Sequence, residues 1–200
     1  SDFGLLAIYS GIIAMLSIFA CLRYDMAIPL PENENDAINI LFLSLFLLVI
    51  VFLTVLLTVF YWIEEISELL KIVDDEHLLW FIPLGVLLIG LYNLCKYWSI
   101  RTKNFSIFAR TKIIQAISNI SIACIGFNFG PAGLLLGHIA SQSAGIFTLA
   151  KPIFSLGFTK RLEFSSIMSL AVRYKSFPMF SLWGGIANTA SMQLPPILFA

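Results

Sequence analysis

Charge is scarce in this chain: Lys, Arg, Asp and Glu supply 12% of its 200 residues, and none of them interrupts the 27 residues from Ala37 to Ile63. Twelve basic residues balance twelve acidic ones, so no net field draws the protein to nucleic acid or to acidic partners. Cysteine is rare too. Cys21, Cys95 and Cys124 all fall in apolar runs, with no CxxC pair and no histidine cluster, which excludes a thiol redox centre or a thiolate metal site and leaves them as small buried hydrophobes. The only histidines, His77 and His138, stand in different environments. There is no HExxH, GxSxG, glycine-rich phosphate loop or paired-carboxylate motif, so the chain is expected to be neither an enzyme nor the holder of a cofactor. An initiator methionine and the charged start of a signal peptide are also missing, and the last residues, Pro195 to Ala200, are apolar. A fragment cut at both ends is the expectation.

What the chain has in excess is hydrophobicity, at 59% of residues and a mean hydropathy of +0.92, far outside the range of soluble domains. The stretch AINILFLSLFLLVIVFLTVLLTVFYWI is the clearest case, since a helix of that length runs roughly 40 Å against about 30 Å of hydrocarbon. Its polar atoms are few: Asn39, Ser44 and the threonines Thr54 and Thr58, whose hydroxyls can bond back to the preceding turn. Asp36 reads as its cap, and Tyr61 and Trp62 as part of an aromatic belt.

The remaining spans follow in order. A first span covers roughly Phe3 to Leu22 and ends at Arg23-Tyr24-Asp25, with MAIPLP able to prolong the helix until Pro29 and Pro31 break it. The loop ENEND leads into the long second span. Beyond Trp62, EEISELLKIVDDEH carries Ile66, Leu69, Leu70 and Val73 at helical spacing, which predicts a short amphipathic helix on the membrane surface. A third span runs from about Leu78 to Tyr97, belted by Trp80 and Tyr97-Trp98, with Pro83, Gly85 and Gly90 as candidate kinks. Ile113 to Phe127 makes a fourth and Ala132 to Ala150 a fifth, joined by the tight turn Asn128-Phe129-Gly130-Pro131. A cationic connection with an amphipathic middle covers 151–176, and a sixth span begins at Phe177. The fold class is therefore all-α integral membrane.

Orientation follows from the cations. Threading the six spans alternately places eleven of the twelve lysines and arginines on one side, with Lys71 alone on the other. The positive-inside rule makes the crowded side cytoplasmic and puts Asp2 and the acidic run Glu64 to Glu76 outside. An odd number of spans, most simply one, would precede an outside N-terminus in a longer chain.

Polar residues within the spans are the candidates for function, because permeation needs polar groups along a path and no nucleophile. Gln115 and Asn119 share a face of the fourth span, and His138 and Gln142 share one on the fifth. Asn188 lies on the sixth, close to Ser191 and ahead of the break expected at Pro195-Pro196. Interhelical hydrogen bonding explains each pair taken alone, while three successive polar faces favour a shared polar interior. Arg23 closes the first span near the inner hydrocarbon boundary, where it either snorkels to headgroups or points into an inward-open cavity that admits an anion. Asp25, two residues on, falls on a different helix face. The five cations from Lys96 to Lys112 serve topology and headgroups first. Arg110 and Lys112 are the best placed of them to reach a cavity. Gly126 with Gly130, and Gly133 with Gly137, fit close helix packing.

The stretch LRYDMAIPLPENENDAINILFLSL resembles the LRYE-AI-LP segment, acidic loop and leucine-rich span of bacterial polysaccharide-biosynthesis flippases, the polysaccharide-transport branch of the MOP exporter superfamily. WSIRTKNFSIFARTKIIQA, GFNFGPAGLLLGHIASQ, and YKSFPMF leading to NTASMQLPPILF extend the resemblance over essentially the whole chain. It implies about twelve helices in two six-helix halves, with this chain holding the second to the seventh. Residues 1–150 would then complete most of the N-terminal half, 151–176 the cytoplasmic connection, and 177–200 the start of the C-terminal half. It further implies a bacterial inner-membrane protein that moves an undecaprenyl-pyrophosphate-linked oligosaccharide, of O-antigen or lipopolysaccharide type, from the inner to the outer leaflet by alternating access. Polysaccharide polymerase and chain-length proteins are the implied partners, beside membrane lipid and the lipid-linked glycan. On that resemblance Arg23 meets the pyrophosphate, with Arg110 and Lys112 in support and Asp25 standing where glutamate is usual. Gln115, Asn119, His138, Gln142 and Asn188 offer hydrogen bonds to sugar hydroxyls. The competing readings are a multidrug or small-solute exporter with a buried acidic cation site, a polysaccharide polymerase, which would need a large basic outer loop, and a structural membrane subunit.

Overall fold

The computed structural model describes residues 2–70, 73–126, 130–154 and 164–198, and among these the chain is helical without a strand. Nine α-helices follow one another: α1 Asp2–Phe19, α2 Glu34–Tyr61, α3 Ile63–Leu70, α4 Phe81–Arg101, α5 Phe105–Gly126, α6 Gly130–Ser143, α7 Ile146–Phe154, α8 Phe164–Arg173 and α9 Leu182–Leu198. Two described segments are long and apolar enough to cross a bilayer, Glu34–Tyr61 with a hydropathy of 3.3 and Leu78–Arg101 with 2.1.

These two segments are surrounded differently. Only 22% of the most apolar window of α2 is buried, against 56% for the segment that contains α4. Phe46, Val49, Leu53, Leu57 and Phe60 face outward along α2, while its polar Asn39 and Ser44 are buried. That is the reverse of a soluble amphipathic helix, and it fits a helix whose outer surroundings are hydrocarbon. Thr54 and Thr58 each donate a 2.9 Å hydrogen bond to the carbonyl four residues back, so their hydroxyls leave nothing unpaired on the apolar face. Asp36 lies in the first turn of α2, and Asn33 takes the capping position that the sequence assigned to Asp36. Tyr61, Trp62 and Trp80 are exposed as a belt requires, with Trp80 edge-on to Phe60 at 6.3 Å. Trp98 is not part of a belt. It is 2% exposed and packs in the core.

Helix α4 is the element on which the others assemble, packing against α1, α2, α5, α6 and α7. Its glycines make close approach possible and do not kink it. A Cβ on Gly85 would collide with Ile13 of α1, and one on Gly90 with Leu48 of α2. Pro83 sits in the first turn, where a missing N–H costs no hydrogen bond, and α4 runs unbroken to Arg101. Gly137 does the same for the α5–α6 pair, where a Cβ would lie 2.8 Å from Ile122.

Several boundaries differ from those read in the sequence, among them the start of α5, at Phe105 and not Ile113, and the end of α4, at Arg101 and not Tyr97. Helix α1 stops at Phe19, because Leu22 (φ 46°) and Arg23 (φ 63°) turn into the left-handed region before a 3-10 turn at Tyr24–Ala27. The fifth span is not one helix. Gly145 (φ 88°) breaks it into α6 and α7, and a Cβ there would meet the Thr111 side chain. Pro195-Pro196, expected to end a helix, lie inside α9, which opens with a π turn at Phe177–Ser181. Residues 127–129 of the expected turn between the fourth and fifth spans, and 155–163 of the cationic connection, lie outside the described residues.

Arg101 closes the C-terminal end of α4 on a loop that has no regular structure of its own. Its guanidinium donates to the carbonyls of Ile28 (3.3 Å), Pro31 (2.5 Å), Glu32 (3.4 Å) and Asn33 (3.3 Å). Five rigid donors suit such a cluster of acceptors, which a single ammonium cannot span. Arg101→Ala is expected to cost about 2 kcal/mol, with Arg101→Lys recovering less than half of it. Thermal unfolding in detergent checks this, and an unchanged midpoint for Arg101→Ala would remove the clamp.

Candidate functional site

The left-handed turn after α1 decides where Arg23 points. A helix continued through Leu22 would carry residue 23 round the cylinder, whereas the turn sends its side chain onto α9, where the guanidinium lies against the backbone of Gly185. Any Cβ at Gly185 would collide with it. The Nε of Arg23 is buried and lacks a hydrogen-bond partner. An unpartnered buried donor on a cation is costly unless an anion completes it.

Asp25 occupies the 3-10 turn that follows and is 5% exposed, with Oδ1 buried and unpartnered. Burial pushes its carboxyl above the ordinary aspartate range. The charges of Arg23 and Lys96 and the Met26 backbone N–H pull in the opposite direction without cancelling the effect. The turn is held from outside as well: the Tyr24 hydroxyl donates to the Ala171 carbonyl of α8 at 2.9 Å, and the π turn packs beside it.

Lys96 reaches the same place from α4. Its ammonium donates to Asn93 Oδ1 at 3.0 Å and lies 4.4 Å from the centre of the Tyr97 ring. Lys112 approaches from α5 with its ammonium 5.0 Å from the Tyr92 ring and 6.0 Å from that of Phe108, near enough to Lys96 for the two charges to repel. Arg23 and Lys96 thus flank a single carboxyl from two elements, with Lys112 beside Lys96, and this local excess of positive charge suits an anion.

Of the residues singled out in the sequence, the structure brings Arg23 and Asp25 together, while Lys112 comes near them only beside Lys96. Lys96 joins them, although its sequence context, one of five cations at a span end, marks it only as a topology residue. Its position three residues after Asn93 and next to Tyr97 was the available signal. Arg110 lies about 200° round α5 from Lys112 and is exposed. Gln115 is buried on α5, whereas Asn119, one turn on, is exposed. His138 is half-buried in a closed apolar recess with Ile13, Leu88 and Ile89. Asn188 is exposed on α9, and the Gln142 side chain lies outside the described residues. Helix α5 packs on α4, α6 and α7 while α9 packs on α1, so these amides do not gather in one place among the described residues. Cys21 and Cys95 are free and buried, as their apolar settings require. No group of three metal-ligating side chains occurs among the described residues.

Comparison with family models, curated proteins and solved structures returned no match.

The position of Asp25 has a consequence for stability. Its folded pKa lies above the unfolded one, so its favourable contribution is present below about pH 4 and is lost as pH rises toward the shifted value. Asp25→Asn removes that loss. The variant is expected to match the wild type in unfolding temperature near pH 4 and to exceed it at pH 8. Equal or lower stability of Asp25→Asn at pH 8 would show that the neighbouring cations, not burial, dominate.

Proposed function

We propose that this chain is part of a multi-pass inner-membrane transporter that passes an undecaprenyl-pyrophosphate-linked oligosaccharide from the cytoplasmic to the outer leaflet by alternating access. In this reading six segments cross the bilayer with the cation-rich loops inside, α1 to α7 belong to one half of a two-half carrier, and α9 opens the other. The observation that carries it is the buried carboxyl of Asp25 flanked by Arg23 and Lys96, with Lys112 close to Lys96, set where α9 meets α1. A diphosphate supplies the negative charge the cluster lacks, and its several oxygens can accept from both a planar guanidinium and point-like ammonium groups. Polar residues on exposed helix faces, Asn119 on α5 and Asn188 with Ser191 on α9, remain available to sugar hydroxyls.

The exporter alternative, with a buried acid binding a cation, is less favoured by the same residues. Asp25 is buried, yet its nearest charges are Arg23 and Lys96, and a second cation beside them would be repelled. Arg23 also accounts for alternating access, since the guanidinium lies on α9 itself. An anion that draws Arg23 toward Lys96 takes it off Gly185 and loosens α9 from α1.

Arg23→Ala is expected to abolish surface polysaccharide in a complementation assay at unchanged protein level, and Arg23→Lys to retain part of the activity. Gly185→Ala tests the same contact from the other helix. The atom it meets is the mobile end of a long side chain, so the protein should fold normally and transport should fall. Full activity of Arg23→Ala would remove the residue from the site and the reading with it.

A further inference from the structure

A large cavity among the described residues has none of the cluster's charged side chains in its lining. It is a groove of about 590 Å³ between α2, α4 and α7, lined by Leu41 and Leu45, by Leu91 and Cys95, and by Phe147 and Ala150. That is the volume of a ligand site, and the only polar side chain in its lining is Ser143, whose hydroxyl already donates to the Ala140 carbonyl at 3.1 Å. Water would find no partners there, so the occupant is apolar along its length. The groove is built by the chain break at Gly145, which redirects α7 from the course of α6 and is locked by Thr111.

Two elements give the same depth for it. Leu41 and Leu45 stand about 10 and 16 Å along α2 from Glu34, and Cys95 and Leu88 about 9 and 20 Å along α4 from Arg101, while α7 runs beside them toward Phe154. With the Glu34 end of α2 and the Arg101 end of α4 in the cytoplasm, this is the level of the acyl chains of the inner leaflet. At its rim Phe147 is 86% exposed, and Lys151, one turn farther along α7, is exposed as well. No charged side chain lines the groove itself.

We infer that this groove holds one acyl chain of an anionic phospholipid of the inner leaflet, whose phosphate meets Lys151 at the mouth. The inference depends on α2 and α4 crossing the membrane with the Glu34 end of α2 and the Arg101 end of α4 inside, and does not depend on what the protein transports. Phe147 covers the chain on the open side, and the lipid ties α7 to α2 and α4.

The test is native mass spectrometry of the full-length protein, released from detergent after equilibration with phosphatidylglycerol or with phosphatidylcholine. The expected result is one retained phosphatidylglycerol. Leu91→Trp, which fills the groove, should weaken retention by about tenfold or more. Lys151→Gln, at an exposed position that leaves folding intact, should lower the preference for phosphatidylglycerol by about fivefold. No retained lipid, equal retention of both lipids by the wild type, or retention unchanged in Lys151→Gln would overturn the inference. So would a disulfide from Phe147→Cys to a cysteine placed elsewhere in the chain or in a second copy, since protein would then fill the groove. The transport reading survives any of these outcomes, because it stands on Arg23 and the complementation assay.

Discussion

Backbone groups withdrawn from water must be satisfied by hydrogen bonds, which a helix supplies within its own segment, and the rest of this structure depends on that constraint. It makes helices of the apolar segments, and it reverses the usual distribution of side chains. On α2 the leucines and phenylalanines face outward, Asn39 and Ser44 face inward, and the threonine hydroxyls are returned to the helix carbonyls. Close packing of the helices accompanies this distribution. Gly85 and Gly90 on α4 and Gly137 on α6 are the positions where a neighbouring helix approaches to the limit that a Cβ would forbid.

That packing makes α4 a buried strut, and the strut positions the polar chemistry. Arg101 at one end fixes the loop of residues 28–33, and this loop follows the turn that carries Arg23 and Asp25. A turn earlier, Lys96 enters the same neighbourhood. Structural clamp and candidate site are therefore built on one helix, five residues apart. A cation cluster assembled in this way costs folding energy through mutual repulsion and burial, a cost that an anionic ligand offsets on binding.

Much of this architecture is legible in the residues. The absence of charge from Ala37 to Ile63 defines α2, the spacing of Ile66, Leu69 and Leu70 defines the short helix that follows, and the tight packing at Gly137 follows its sequence spacing. Other features were not legible because single residues override the pattern. Nothing in LRYD announces two successive non-glycine residues at positive φ, since that conformation is held by the contacts of Tyr24 with α8 and of the turn with α9. Nor do the prolines at 195 and 196 report whether neighbouring helices will carry the backbone through them.

Hydropathy and charge placement, which are properties of segments, were settled by the sequence alone: an all-helical chain, two segments fit to cross a bilayer, and cations massed at one set of helix ends. Which of those cations meet was decided by the tertiary structure. Lys96 and Lys112 stand 16 residues apart in the chain, and Arg23 is 73 residues from Lys96, so their proximity depends on helix rotation and on one left-handed turn. The same is true of the groove at α7, which exists because Gly145 bends a run that hydropathy reads as continuous. Periodicity records which face of a helix is apolar, but the direction of a side chain at a helix end is set by dihedral angles that only packing fixes.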